Sequence, residues 1–321
     1  MTEIIVSAPA RLHFGMLDPA GVGMRRFGGF GVGVGSPRVL VGVSRRSGHA
    51  VSASGCQAQR AIDFAERARS AFGLRGGVEV NVYEAIPPHS GLGSGTKLGL
   101  AIARGVAELA GATATPEQLA QACGRGARSS VGCWTFAGPG LVVEAGVGEG
   151  GWISPLVARH LMPEWWRCVL ALPSGAEGLS GIAEERFFGE LHETPGAESC
   201  VSRLLLTVLL PGLLTGDINE FGRALTEIQR EVGSIFAAQQ GGVFHPQAAP
   251  LVDALFSLGV GAVGQSSWGP AVYGIVESAE LAADVADRLR VAAGPGTDVR
   301  VADFDRRGAW IAREEAGRAA A

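Results

Sequence analysis

The stretch Ile86–Leu100, IPPHSGLGSGTKLGL, decides how this chain is read. It sets Gly91, Gly93 and Gly95, with Ser94 and Thr96, directly ahead of a helically spaced apolar series, Leu98, Ile102, Val106 and Leu109, closed by Gly111. A glycine loop feeding a helix lets a ligand approach the backbone, and the first N–H groups of the helix lack internal partners. Such a junction binds anions, so a phosphate-bearing ligand is expected. Lys97 is the single lysine of the chain and lies in this loop, where a compact ammonium suits a phosphate. A composition that favours arginine throughout and leaves one lysine here by chance is the bland alternative. The loop is neither a P-loop, since Thr96 and Leu98 flank the lysine, nor a dinucleotide fingerprint, since Thr96 stands where the third glycine belongs.

Working outward, 321 residues allow two modest domains, and 47% hydrophobic with 18% charged residues describes a packed globule. A net charge of −4 argues against bulk binding to nucleic acid or to an acidic membrane, so anions must be handled locally. The five cysteines are widely spaced, with no C-x-x-C pair, and fit neither a zinc site nor a disulfide framework. They read as small buried hydrophobes of a reducing compartment. The N-terminus has no signal-peptide pattern and no apolar run reaches spanning length, so a cytoplasmic protein is expected.

Ile4–Ala8 reads as a first strand, after which the apolar rhythm breaks over Ala10–Asp18. In FGGFGVGVGSP, Phe27–Pro37, alternation puts Gly29, Gly31, Gly33 and Gly35 on one bare face, which admits a ligand or a neighbouring helix. Strands are expected at Val39–Ser44 and Gly77–Tyr83, a helix at Gln57–Phe72, and another after the capping box at Thr115. Arg128–Gly146 reads as a turn and a hairpin, and the domain boundary falls in the glycine- and proline-rich region Gly148–Trp165. The second half offers a strand at Trp166–Leu172 and an apolar helix at Val201–Leu214. A helix capped by Asp217 follows, then one after Pro246, a hairpin around QSSWGP, a helix from Ser278 and a last strand at Thr297–Phe304. That order is ferredoxin-like and the whole is α+β. The Ala/Arg C-terminus is expected to fray.

Three groups of side chains could carry chemistry. Arg11, His13, Asp18, Arg25 and Arg26 form the densest polar cluster of the first half; arginines there could clamp phosphate and Asp18 could hold Mg2+, or Asp and Arg could simply pair across a solvated turn. In GQSSWGPAVYG, Gln265, Ser266, Ser267 and Trp268 suit a pocket for a flat ring, or a hairpin whose Trp closes the core. His245, in QGGVFHP, stands before a helix start, where a cap or a core histidine is the commoner role.

Pro87–Ser94 resembles the P-x-x-x-G-L-G-S-S loop of the GHMP kinase superfamily, with Gly95 replacing the last serine. APARLHFGMLD, RRFGG, IPPHSGLGSGTKLGLA, QGGVFHP and above all GQSSWGPAVYG together resemble the β-ribofuranosylaminobenzene 5′-phosphate synthase family. The resemblance covers motifs from Ala8 to Gly274, most of the chain. It implies a two-domain GHMP-kinase-like fold, with a ribosomal-protein-S5-domain-2-like half over 1–155 and the ferredoxin-like half over 156–321. It further implies a phosphoribosyltransferase that joins 4-aminobenzoate or 4-hydroxybenzoate to phosphoribosyl pyrophosphate, releasing CO2 and pyrophosphate with Mg2+, for methanopterin-type carriers of one-carbon units. A homodimer comes with the same resemblance. On that reading Gly91–Lys97 with Arg11, His13, Arg25 and Arg26 handle the phosphates, Asp18 takes Mg2+, and His245 and Gln265–Trp268 meet substrate. An ATP-dependent GHMP kinase of small molecules is the alternative. Against it, superfamily kinases often carry an acid after a mid-chain turn of small residues, and the corresponding Arg128–Cys133 contains none.

Overall fold

The computed structural model describes residues 2–315, except 22, 176, 180 and 192–196. The tail expected to fray, from 316 on, lies outside the described residues. The chain opens with two long strands, β1 (Thr2–Asp18) and β2 (Phe27–Arg46), antiparallel over almost their whole length. The strand expected at Ile4–Ala8 thus runs ten residues further: Ala8, Ala10, Leu12, Phe14 and Met16 keep the alternate positions buried, while Arg11 and His13 occupy the positions between. Bulges at Pro9/Ala10 and His13/Gly15 bend β1 where those two side chains emerge.

There follow β3 (Val51–Gly55), α1 (Ala58–Ala71), β4 (Gly77–Glu84), α2 (Ser94–Ala110), α3 (Pro116–Cys123), α4 (Val131–Ala137), β5 (Leu141–Glu144) and β6 (Leu156–His160). Then come β7 (Arg167–Pro173), α5 (Gly181–Glu190), α6 (Ala197–Leu204), a π-helical turn over Leu205–Leu209, α7 (Leu210–Thr215), α8 (Ile218–Gln240) and α9 (Ala249–Ser257). The chain closes with β8 (Ala262–Gln265), β9 (Val272–Val276), α10 (Ala279–Ala293), β10 (Thr297–Asp303) and β11 (Trp310–Glu315).

Among the described residues a seven-stranded sheet runs β11-β1-β2-β4-β3, with β5 on the first half of β2 and β6 on β5. A four-stranded antiparallel sheet, β10-β7-β9-β8, has the order expected of a ferredoxin-like half. The first sheet crosses the 155/156 boundary expected from sequence, because both β6 and β11 belong to it. The strand at Thr297 is accordingly not the last, since β11 returns to pair with β1.

The hairpin expected over Arg128–Gly146 is instead α4 followed by β5. Packing overrides local pattern here: α4 lies on the bare face of β2, where a Cβ on Gly31 would stand 2.9 Å from Val131 Cγ1. Of the two occupants considered for that face, the helix is the one found, together with the ring of His13 beside Gly29. α2 packs on β1 and β2 from the same layer, and α8 reaches from β8 across to β1, joining the halves.

Candidate active site

The glycine loop is built as its sequence predicts. Gly91 and Gly93 sit at φ +80° and +78°, backbone that L side chains resist, and Gly93 caps α2 without any side-chain bond. Lys97 N–H is the first helical donor, to Gly93 O at 3.0 Å, so the amides of Ser94, Gly95 and Thr96 precede the helix's own hydrogen bonds. The loop is clamped from two sides. Arg11 donates to Gly91 O from β1, and Ser266 Oγ donates to the same oxygen at 2.7 Å from the β8–β9 turn. The backbone N–H of His13 in turn donates to Ser266 Oγ at 2.9 Å. Two motifs more than 150 residues apart thus meet at one carbonyl.

Beside this junction lies a cavity of about 460 Å3 with two unlike halves. The cationic half carries Arg11, Arg125 and Arg128 with Thr96. Arg11 packs along Gly93, and Arg60 and Arg125 pack along Gly95, so guanidinium groups surround the first turn of α2. Burial holds Arg11 down to about 10, with Glu184 and Glu144 opposing. Burial lowers Arg125 as well, and the nearby Arg60, Arg67 and Arg128 push it the same way. This gathering of half-buried positive charge is what an anion with several charges requires.

The aromatic half is formed by Trp268, Phe188, Phe236 and Phe14. Trp268 is 5% exposed and stacks at 4.6 Å on Phe236, with Phe187 edge-on at 5.0 Å. Trp268 therefore closes a core and at the same time walls the cavity. Glu184 on α5 joins the halves, accepting from Trp268 Nε1 at 3.1 Å and pairing with Arg128 at 3.1 Å.

A third feature crosses the cavity's inner side. His13 Nε2 lies 3.0 Å from Ser129 Oγ, and Ser129 Oγ donates to Glu144 Oε1 at 3.0 Å. Glu144 is fully buried at the end of β5 and also accepts from Ser130 N–H at 2.7 Å. Burial raises its carboxyl to about 7 against the pull of those serine bonds. Burial, then Arg11, lowers His13 to about 3, so its imidazole is neutral.

Of the residues expected at the site, Arg11, His13, Thr96, Gln265, Ser267 and Trp268 line the cavity, Gly91, Gly93, Ser94 and Gly95 build the loop behind it, and Ser266 clamps that loop from the β8–β9 turn. Lys97 is fully buried under the loop, its Nζ donating to Thr135 Oγ1 at 2.9 Å, and burial lowers it to about 7. The β1–β2 turn lies outside the lining. Asp18 accepts there from Gly21 N–H at 2.7 Å and Gly23 N–H at 2.9 Å, Arg25 reaches Gly146 O, and Arg26 covers the Phe27 ring. Phe27 packs on the cavity residue Phe188 at 5.5 Å, which ties this turn to the rim. His245 caps the chain before α9, its Nδ1 accepting from Gln247 N–H and its own N–H donating to Gln265 Oε1.

Sequence reading missed Arg125, Ser129, Glu144 and Glu184, and treated Arg128 only as the start of a turn. One signal was present: Glu144 is a lone acid closing an apolar strand, LVVE. The carboxylate absent from Arg128–Cys133 reaches that segment from β5.

Residues 58–136 match the GHMP kinases N terminal domain and 209–295 the GHMP kinases C terminal domain. A beta-ribofuranosylphenol 5'-phosphate synthase of Methanothermobacter thermautotrophicus is 31% identical over 315 residues, covering 92% of this chain and 94% of its own. The chain belongs to the β-ribofuranosylphenol 5′-phosphate synthase family. A second member of that family, from Archaeoglobus fulgidus, is 30% identical over 291 residues, with 84% and 87% covered. Among solved structures, L. major mevalonate kinase superposes with a TM-score of 0.73 at 13% identity, covering 94% of this chain and 95% of that one. Homoserine kinase from Cytophaga hutchinsonii gives 0.68 at 18%, with 97% of each covered. At such identities the likeness carries the fold, which is the expected GHMP-kinase-like one. No helix among the described residues is long and apolar enough to cross a membrane.

Proposed function

We propose that this chain is a phosphoribosyltransferase that joins 4-hydroxybenzoate or 4-aminobenzoate to phosphoribosyl pyrophosphate, with loss of CO2 and pyrophosphate, on the route to tetrahydromethanopterin. The observation that carries the reading is the division of one cavity into a cluster of half-buried arginines and an aromatic wall, in a chain of the synthase family. The reaction needs both. Departure of the diphosphate leaves a cationic ribosyl carbon, so the leaving anion must be stabilised and water kept away. Arg11, Arg125 and Arg128, with the first amides of α2, supply fixed donors for the phosphates. Trp268, Phe188 and Phe236 exclude water and hold the aryl ring flat, so that the ring carbon bearing the carboxylate faces the ribosyl carbon. Bond formation there makes that carbon tetrahedral, and loss of CO2 restores aromaticity.

Among the described residues no three His, Cys, Asp or Glu side chains gather as a metal cage. Mg2+ takes one or two carboxylates and fills its shell with substrate phosphates, so the donors present fit an ion that arrives on the diphosphate. Glu184 and Glu185 are the acids of the cavity lining that would meet it, and Asp18, in the turn outside, would join by releasing Gly21 and Gly23. Such an ion would offset the charge of the leaving diphosphate. The reading extends to a cytoplasmic homodimer; the free cysteines, three of them buried, suit a reducing compartment, and sedimentation would test the dimer.

The test is release of CO2 from carboxyl-labelled 4-hydroxybenzoate and 4-aminobenzoate, with and without phosphoribosyl pyrophosphate, in the presence of Mg2+. Release that depends on the donor and equals pyrophosphate formed supports the reading. No release from either acid by folded protein, with ATP consumed on a small alcohol, would replace it by the kinase.

A further inference from the structure

We propose that His13, Ser129 and Glu144 form a proton relay that takes the 4-hydroxyl proton of a hydroxyaryl substrate as the ring attacks, and returns it after CO2 leaves. This rests on the synthase reading. Ser129 Oγ has a single proton and faces Glu144 Oε1 at 3.0 Å, His13 Nε2 at 3.0 Å and Val131 N–H at 3.4 Å. With Glu144 ionised, the serine donates to the carboxylate and must accept from His13, which places the ring proton on Nε2 and leaves Nδ1 as a base. With Glu144 protonated the whole chain reverses, and the serine donates to His13. The two states differ by one proton added at the far end.

The strands hold this chain in place. Gly29 leaves room for the imidazole, whose Cε1 would stand 3.3 Å from a Cβ there, and Gly31 leaves room for Val131, which follows Ser129 and Ser130 into α4. His13 and Ser129 both line the cavity, whereas Glu144 is sealed behind them. The charged and titratable groups facing Glu144 are Arg11 and His13 from β1 and Cys133 from α4, with the hydroxyls of Ser129, Ser130 and Ser154. Burial and Arg11 make His13 a poor place to keep a proton, while Glu144 takes one near pH 7, so a proton reaching Nδ1 passes through to the carboxylate.

The step balances. As the ring carbon bonds to the ribosyl carbon, the ribosyl–diphosphate C–O bond breaks. The O–H bond of the 4-hydroxyl breaks too, and its electron pair becomes the carbonyl of a dienone. The proton goes to His13 Nδ1, that on Nε2 to Ser129 Oγ, and that of Ser129 to Glu144. When the ring–CO2 bond breaks, its electrons restore the aromatic ring and the oxygen recovers the proton by the reverse path. No oxidant and no net proton is consumed. An arylamine can push electrons from nitrogen without first losing a proton, so it needs the relay less. His13 is the catalytic residue; Ser129 and Glu144 act through it as positioning residues.

The experiment compares kcat for 4-hydroxybenzoate and 4-aminobenzoate, with the same donor, in wild type, Glu144→Gln and Ser129→Ala across pH 6 to 9. Both acids share any titration of the donor, so their ratio isolates the relay. In wild type the hydroxy acid's kcat should rise through about pH 7 relative to the amino acid's. Both variants should lose that rise and slow the hydroxy acid about 10- to 100-fold, with the amino acid within about 3-fold and KM values little changed. Ser129→Ala keeps the Ser130 bond to Glu144, and so answers the question if Glu144→Gln does not fold. Equal slowing of both acids with an unchanged pH profile would overturn the relay. Absence of donor-dependent CO2 release in wild type would instead overturn the synthase reading.

Discussion

The two halves of the cavity are assembled in opposite ways. The aromatic wall is centred on one residue of a short stretch, Trp268 of Gln265–Trp268, around which Phe188 of α5, Phe236 of α8 and Phe14 of β1 gather, and that stretch stands out in the local sequence. The cationic half gathers Arg11, Arg125 and Arg128 from β1 and the segment before α4 around a helix start that contributes its own amides. Meanwhile Asp18, Arg25 and Arg26, which look like a site because they are close in sequence, form a turn outside the lining. Density along the chain marks turns as readily as it marks sites; a bulged strand and a helix on a glycine face bring functional groups together without any such density.

If the halves divide the labour between the two substrates, they can be separated by substitution. The largest effect is expected from Arg125→Ala, which removes a half-buried guanidinium beside Gly95. KM for phosphoribosyl pyrophosphate should rise about 10- to 100-fold, the loss of one charge-assisted contact, with KM for the aryl acid little changed. Trp268→Phe keeps a ring but deletes the donor to Glu184 and part of the wall. It should raise KM for the aryl acid by about 3- to 10-fold, the scale of one aromatic contact, and spare the donor. Equal effects on both substrates in steady-state kinetics would erase the division.

Smaller effects sharpen the contrast with groups outside the lining. Lys97→Met replaces a buried ammonium by an apolar chain of similar length, and should change KM for the donor by less than about 2-fold while raising the thermal midpoint. Lys97 is lowered in the folded state, so its contribution to stability is present above its unfolded value and lost as pH falls through about 7. The midpoint advantage of Lys97→Met should therefore grow as pH falls from 10.5 toward about 7, and level off below it. Glu144 has the opposite sign. Its pKa is raised, so its contribution is present below the unfolded value near 4.5 and lost as pH rises through about 7. Glu144→Gln should gain midpoint relative to wild type on the alkaline side, as read by thermal melts at several pH values.

Much of this was legible in the sequence. The glycine loop, the ferredoxin-like half and the QSSWGP turn on the cavity all rest on local signals: positive-φ glycines, helix caps and a two-strand turn. What was not legible depended on long-range packing. The first strand looked finished at Ala8 because Arg11 and His13 interrupt an apolar run, yet the period-two burial continues through Met16. Lys97 looked like a phosphate ligand because it sits in the loop, but the helix has already begun at Ser94 and turns that side chain toward Thr135. Glu144 carried one local signal, a lone acid closing LVVE, but nothing in that stretch says which helix will cover it.

If one cavity joins a ribosyl carbon to a ring carbon while excluding water, the new bond is read by NMR of the product made from phosphoribosyl pyrophosphate labelled with 13C at the anomeric carbon and 4-hydroxybenzoate labelled with 13C at the carboxylate-bearing ring carbon. The account predicts a one-bond 13C–13C coupling between the two labelled atoms in a product that has lost its carboxylate. Ribose attached through oxygen, a retained carboxylate, or free ribose 5-phosphate as the main product would contradict it.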